Sequence, residues 1–345
     1  MSTNGYRVVQ WSTGTIGSYA LRALIDHHSL HLAGVYVHGA DKAGRDAGEL
    51  CGTEPTGVIA TDSVDDIVAL APDCVLYMPN FADIDVVCRL LSAGCNVVTT
   101  AGQFHHPAGM DAAVRDAVEK ACAAGSTSVH STGSSPGFIT EAVPLTLSSI
   151  QRRLDHLAID EYADLSQRNS PELLFDVMGF GKPAGTFEEF RAEYLKNSFG
   201  PSLRQLADTL GLPLDSVTAV GEFATTRRDI EIAAGHLPAG SVGAQRVTIT
   251  GSRNGRPLLR FRANWYCTRE LTQDWALNET GWHISVAGDA PLEIDLRMPV
   301  PLERMAEVSP AYTANRAVNA VAAVCAAAPG IRTTADLPQI VASLG

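Results

Sequence analysis

The chain has 345 residues, enough for two domains or for one domain with a large insertion. Its 46% apolar and 19% charged content is that of a globular protein with a sizeable core, and excludes a disordered chain. A net charge of −12 sets it against phosphate backbones and anionic lipid, so neither a nucleic-acid nor a membrane-surface role is expected.

Met1 to Gly5 are small and polar, and nothing like a signal peptide precedes the first strand-like run. The longest apolar run, Ala317 to Ala328, is interrupted by Asn319 and is too short to span a bilayer, so a cytoplasmic protein is expected. Taken in chain order, Arg7 to Trp11 reads as a strand. Thr15 to His27 reads as a helix with Ile16, Ala20, Ala23 and Leu24 on one side. Strand follows at Leu30 to His38, helix at Val64 to Leu70, strand at Cys74 to Met78 and helix at Ile84 to Ala93. Asn96 to Thr100 is a strand, Met110 to Ala124 a helix and Ser128 to Ser131 a short strand. This alternation predicts βαβ units around a parallel sheet. Continuous apolar strands such as Cys74-Val75-Leu76-Tyr77 predict helices on both its faces.

The pattern changes near residue 150. Leu154 to Tyr162, Ser216 to Phe223, Arg228 to Ala234, Ala244 to Gly251, Pro257 to Cys267, Gly281 to Ala287 and Leu292 to Met298 read as strands, several with polar–apolar alternation. Asn254-Gly255 between two of them is a hairpin signal. Helices are predicted around Phe187 to Lys196 and Leu203 to Leu210, and an Ala-rich helix at Tyr312 to Ala328 is expected to pack on the first domain. The predicted class is α/β, a parallel-sheet domain over 1–140 with 311–345 packed back on it. An α+β domain with a mostly antiparallel sheet follows over 141–310.

The seven cysteines are irregularly spaced with no CxxC, which predicts free thiols. His27-His28 and His105-His106 are poor chelates as bare pairs, so no metal site is expected.

Chemistry first shows at Ser12-Thr13-Gly14-Thr15-Ile16-Gly17, the turn between the first strand and the first helix. A dinucleotide-binding turn of Rossmann type has G-x-G-x-x-G here, and Ser12 replaces the first glycine. Gly14 would let the backbone approach a pyrophosphate, Gly17 would let helix and strand pack closely, and the helix N-terminus supplies N–H groups and positive potential. The second strand ends at Val35-Tyr36-Val37-His38 without the acidic residue that accepts from ribose hydroxyls in NAD enzymes; Lys42 and Arg45 follow. Cationic donors with no opposing carboxylate suit a 2′-phosphate, so NADP is expected rather than NAD.

With its Trp11-Ser12-Thr13-Gly14-Thr15-Ile16-Gly17, Asn96-Val97-Val98-Thr99-Thr100, Ser135-Pro136-Gly137-Phe138 and Thr313-Ala314 with Asn319, the chain resembles the dihydrodipicolinate-reductase-like oxidoreductases. Within them it resembles the branch of 2,4-diaminopentanoate dehydrogenases and native amine dehydrogenases. The resemblance implies an N-terminal Rossmann domain, an α+β substrate and dimerisation domain, a homodimer, and hydride transfer to a C=N bond. The His-rich segment with a Lys that marks the dihydrodipicolinate reductases proper is missing. The amine-forming branch implies an acidic residue in the loop after the Asn-Val-Val strand, where Gln103 stands in Ala101-Gly102-Gln103-Phe104-His105-His106-Pro107.

Amination of a ketone needs a group that deprotonates ammonium and shuttles protons through the carbinolamine. The candidates are Gln103's loop, with His105 or His106 as acid or base, and Glu141, which reads as a helix first-turn charge or as the missing carboxylate. Phe138 and Tyr162 are candidate substrate walls. Asp160, Tyr162 and Asp164 share a strand face that looks either at substrate or at solvent. Pro79 and Asn80 are expected near the nicotinamide ribose, Ala101 and Gly102 at the nicotinamide, and Asn319 at its carboxamide. The leading expectation is an enzyme reducing the imine of a small carbonyl compound and ammonia. Carbonyl reduction on the same scaffold, and an NADP-binding sensor without catalysis, are the alternatives.

Overall fold

The computed structural model describes residues 5–344, so all but the last residue of the polar opening segment Met1 to Gly5 lies outside the described residues. The chain divides into two compact units, Met1–Ala142 with Ser309–Gly345, and Val143–Val308. The first contains β1 (Tyr6–Trp11), α1 (Thr15–Ile25), β2 (Leu30–Tyr36), α2 (Ala47–Cys51), α3 (Val64–Ala69), β3 (Cys74–Tyr77), α4 (Ile84–Ser92), β4 (Asn96–Thr99), α5 (Ala112–Gly125) and β5 (Ser128–Ser131). The second contains α6 (Val143–Ser148), β6 (Leu154–Asp164), α7 (Glu189–Thr209), β7 (Ser216–Thr225), β8 (Ile230–Ile232), β9 (Gly235–Leu237), β10 (Val242–Arg253), β11 (Arg256–Tyr266), β12 (Gly281–Gly288) and β13 (Leu292–Arg297). The chain then enters α8 (Leu302–Cys325), whose residues from Ser309 onward belong to the first unit, as does β14 (Gly330–Ile331).

In the first unit a parallel sheet runs in the order β14-β5-β4-β3-β1-β2. Alternation sends Val9, Trp11, Val75, Tyr77, Val97 and Val129 to one face, against Ile67, Val87, Leu90, Leu91 and Val118 of α3, α4 and α5. Val8, Leu76 and Val98 go to the other, against Ala20 and Leu24 of α1 and Ala314, Ala317, Val318, Val321 and Val324 of α8. Each such aliphatic side chain contributes about 1.5–3 kcal/mol when fully buried. Because β2 and β3 flank β1 on opposite sides, the strand order reverses there, and ligands of open parallel sheets sit beyond the carboxyl ends at such a reversal.

In the second unit the sheet order is β13-β12-β6-β11-β10-β7, antiparallel except for the β6–β11 pair. The Asn254-Gly255 turn joins β10 to β11 with both residues at positive φ, 51° and 70°, as the hairpin signal predicts. Three expectations need correction. The two helices predicted on either side of residue 200 are one, α7, which runs through Pro201 because Phe199, Leu203 and Leu206 bury a common face; Phe199 stacks on Phe261 with centroids 4.1 Å apart. The strand predicted from Arg228 to Ala234 shrinks to β8, which turns at once into β9. The last helix starts ten residues earlier than its Ala-rich stretch, at Leu302. All seven cysteines are free, and no helix among the described residues is long and apolar enough to cross a membrane.

Candidate cofactor and proton-transfer site

At the end of β1 the chain turns sharply. Ser12, in the place of the first fingerprint glycine, takes that glycine's left-handed backbone, φ 73°. Its carbonyl accepts from the buried Gln10 amide at 2.8 Å, so a polar residue inside β1, which the sequence reading passed over, holds the loop. A Cβ at Gly17 would stand 2.1 Å from the Ser12 carbonyl oxygen, so the third glycine is required for α1 to pack on β1. A Cβ at Gly14 would meet nothing within 4 Å. Ser63, Asp83 and Asp111 cap α3, α4 and α5, whereas Gly14 opens α1 with no side-chain cap and no acidic residue in the first turn. Lys42 Nζ lies 3.2 Å from the Thr13 carbonyl and 3.3 Å from its hydroxyl, so the cation from the β2 loop stands at the turn. Thr15 is exposed and Ile16 packs into the core. The Ser12 hydroxyl is buried without a protein partner among the described residues. An uncapped helix start, open space over Gly14, an orphaned hydroxyl and an adjacent lysine fit a phosphate group.

Beyond β2, Tyr36 stacks on Trp11 at 3.7 Å, and the exposed His38 meets Tyr36 edge-on at 5.1 Å. Arg45 does not join Lys42 at the turn: its guanidinium faces Glu49 at 3.7 Å, and both are about half exposed. After β3, Pro79 is half-buried and Asn80 exposed.

The loop after β4 is fastened at successive residues. Ser131 of β5 donates to the Ala101 carbonyl at 2.6 Å and accepts from the Phe104 amide at 3.2 Å. Phe104 is fully buried. Gly102, half-buried, accepts from the His105 amide. Gln103 accepts from the Ala82 amide at 2.6 Å and donates to the Ala82 carbonyl at 3.3 Å, so its amide clips this loop to the one after β3. A carboxylate here would keep the first bond and oppose the second. His106, 8% exposed, turns Nδ1 toward Gly109, where a Cβ would come within 2.4 Å of that nitrogen.

His105 and Glu141 are each about 1% exposed, with His105 Nδ1 2.6 Å from Glu141 Oε1. Glu141 Oε2 accepts from the Thr334 hydroxyl of the C-terminal tail. Glu141 lies in the segment Ser134–Ala142, four residues past the non-helical Ser135-Pro136-Gly137 and thus in the first helical turn beyond that kink, where it is buried against partners from two other segments. Arg316 of α8 adds its field; burial pulls its guanidinium down and the Glu141 carboxylate opposes this. His130 of β5 also faces the cluster. Burial lowers it to about 4, against the pull of the Arg332 carbonyl 2.7 Å from Nδ1 and of Glu141.

The Ser135-Pro136-Gly137-Phe138 turn and the Thr313-Ala314 helix segment prove to be one structural piece. Ser134 and Thr313 hydroxyls are 2.7 Å apart, and Arg316 lies 5.8 Å from the centroid of the half-buried Phe138 ring. Asn319 is half-buried.

In the second unit the face of Asp160, Tyr162 and Asp164 is engaged by protein. Asp160, 6% exposed, accepts from Arg260 at 2.7 Å and faces Arg262 at 3.6 Å. Tyr162, 9% exposed, packs with Tyr266, Leu271, Trp275 and Leu277, and burial raises its phenol. Its edge reaches a cleft of about 250 Å³ that Arg269, Glu279, Asp295 and Arg297 also line.

The profile of the 2,4-diaminopentanoate dehydrogenase C-terminal domain matches residues 138–345. An amine dehydrogenase of Streptomyces virginiae is 28% identical, over 96% of this chain and 95% of that protein. The solved structure of the amine dehydrogenase from Mycobacterium smegmatis superposes with a TM-score of 0.76, at 18% identity, over 99% of this chain and 98% of that one.

Proposed function

From the premise that the chain belongs to the family of the 2,4-diaminopentanoate dehydrogenase C-terminal domain, we propose that it is an NADP-dependent amine dehydrogenase, interconverting a small primary amine with its imine and so with a carbonyl compound and ammonia. As a member it is an oxidoreductase acting on CH–NH2 groups. The observation that carries the cofactor reading is the cradle at Gly14: open space, an uncapped α1 and Lys42 at the turn.

In this reading Thr13, Gly14 and the first amides of α1, through Ile16 and Gly17, hold the pyrophosphate. His38, Lys42 and Arg45 face the 2′-phosphate, which requires Arg45 to leave Glu49. Pro79 and Asn80 line the nicotinamide ribose, Ala101 and Gly102 the ring, and Asn319 takes the carboxamide. When bound, the nicotinamide donates or accepts the hydride. His106 exchanges the substrate proton at Nε2, its Nδ1 edge being packed on Gly109 and its loop stiffened by Pro107. Gln103, an amide, transfers no proton; it keeps the two loops in register. Phe138 supplies an apolar wall.

NADPH oxidation by the purified protein should require a small ketone or aldehyde together with ammonia. Oxidation with the carbonyl compound alone would favour carbonyl reduction. Tight NADPH binding without turnover of any carbonyl or imine would favour a sensor. Replacing His106 by Ala should slow turnover by about 10²-fold or more while NADPH still binds.

A further inference from the structure

We propose that Glu141 is a positioning residue that fixes the loop after β4 through His105 and ties that loop to the C-terminal tail through Thr334. The proposal rests on the dehydrogenase reading above for its activity readout only.

The two carboxylate oxygens face partners that lie far apart in sequence: Oε1 stands 2.6 Å from His105 Nδ1, a close approach without hydrogen-bond alignment, and Oε2 accepts from the Thr334 hydroxyl. At about 1% exposure the group is shut away from solvent among its partners, so in this proposal its effect on chemistry passes through what it holds. A buried carboxylate is tolerated only when paired, and this one is faced by His105, His130 and Arg316. His105 stands in the loop between Gln103, whose amide clips the loop to Ala82, and His106, the residue to which the reading above gives the proton. The loop is thereby pinned at Ala101, Gln103 and Phe104 by hydrogen bonds, and at His105 by its close approach to the Glu141 carboxylate.

Glu141→Gln keeps an acceptor for His105 and can donate to the Thr334 oxygen; Glu141→Ala removes both. Positioning predicts that Glu141→Gln retains turnover within about three-fold and an unchanged pH profile, while Glu141→Ala loses about ten-fold or more with NADPH affinity intact. His105→Asn, which sets an amide N–H where Nδ1 stands, should recover most of what His105→Ala loses, and this pair carries the test should Glu141→Ala not fold. Independently of activity, hydrogen exchange at the Phe104 and His105 amides should quicken by about ten-fold or more in Glu141→Ala or His105→Ala, and not in the conservative variants. Ammonia-dependent turnover absent from the parent would sink the dehydrogenase reading and leave the exchange result standing. Glu141→Gln as slow as Glu141→Ala, with a limb of the pH profile gone, would make Glu141 itself the proton carrier and overturn the proposal. So would unchanged exchange in both alanine variants.

Discussion

Burial holds His130 neutral with its pKa near 4, whereas an unfolded histidine titrates near its ordinary 6.5. Between those values the unfolded chain binds the extra proton, so stability falls as pH drops through this window, by about 3 kcal/mol in all. Above pH 6.5 the residue contributes no slope. Asn at this position can still donate to the Arg332 carbonyl and has no proton to take up. Urea unfolding of His130→Asn between pH 7 and 4.5 should show a flatter loss of stability than the parent; equal slopes would mean that the acid sensitivity arises elsewhere. This histidine was invisible in the sequence reading, because one His inside a four-residue strand carries no sign of its partner 202 residues away.

At the scale of β1, its turn and α1, two glycines three residues apart do different work. A methyl at Gly17 would press on the Ser12 carbonyl, so Gly17→Ala should cost roughly 1–3 kcal/mol by overpacking. Gly14→Val finds only open space in the protein, so the melting temperature should hold while NADPH affinity collapses. Affinity unchanged in Gly14→Val, by fluorescence titration, would remove the pyrophosphate from that turn. This element was legible in advance because its signals are local: an apolar strand, a glycine-bearing turn and helical spacing lie within twenty residues. What escaped depends on distant chain. Gln103 looked like a carboxylate's replacement, and only the approach of Ala82 shows its amide bonded at both ends. Gln10 and Ser131 are polar residues in buried strands, and nothing in their spacing separates them from solvated ones. β14 is two residues long and exists only because β5 offers it an edge.

For the molecule as a whole, the first unit is written in two stretches, and the second lies wholly between them. One face of the parallel sheet is covered by α8, and its outer edge is completed by β14. A chain ending at Val308 should therefore strip the α8 part of the cover from Val8, Leu76 and Val98, leaving α1 alone on that side, and fail to bind NADPH, whereas the full chain binds. Comparable titrations of both would settle it. The same discontinuity orders events on the ribosome. Domains gather as units while the polypeptide emerges. The unit coming second in sequence is the first to have all of its chain outside the exit tunnel. The parallel-sheet unit must wait, without α8 and β14, until the residues from Ser309 onward have emerged, so a chain broken off near Val308 lacks part of one wall of that sheet.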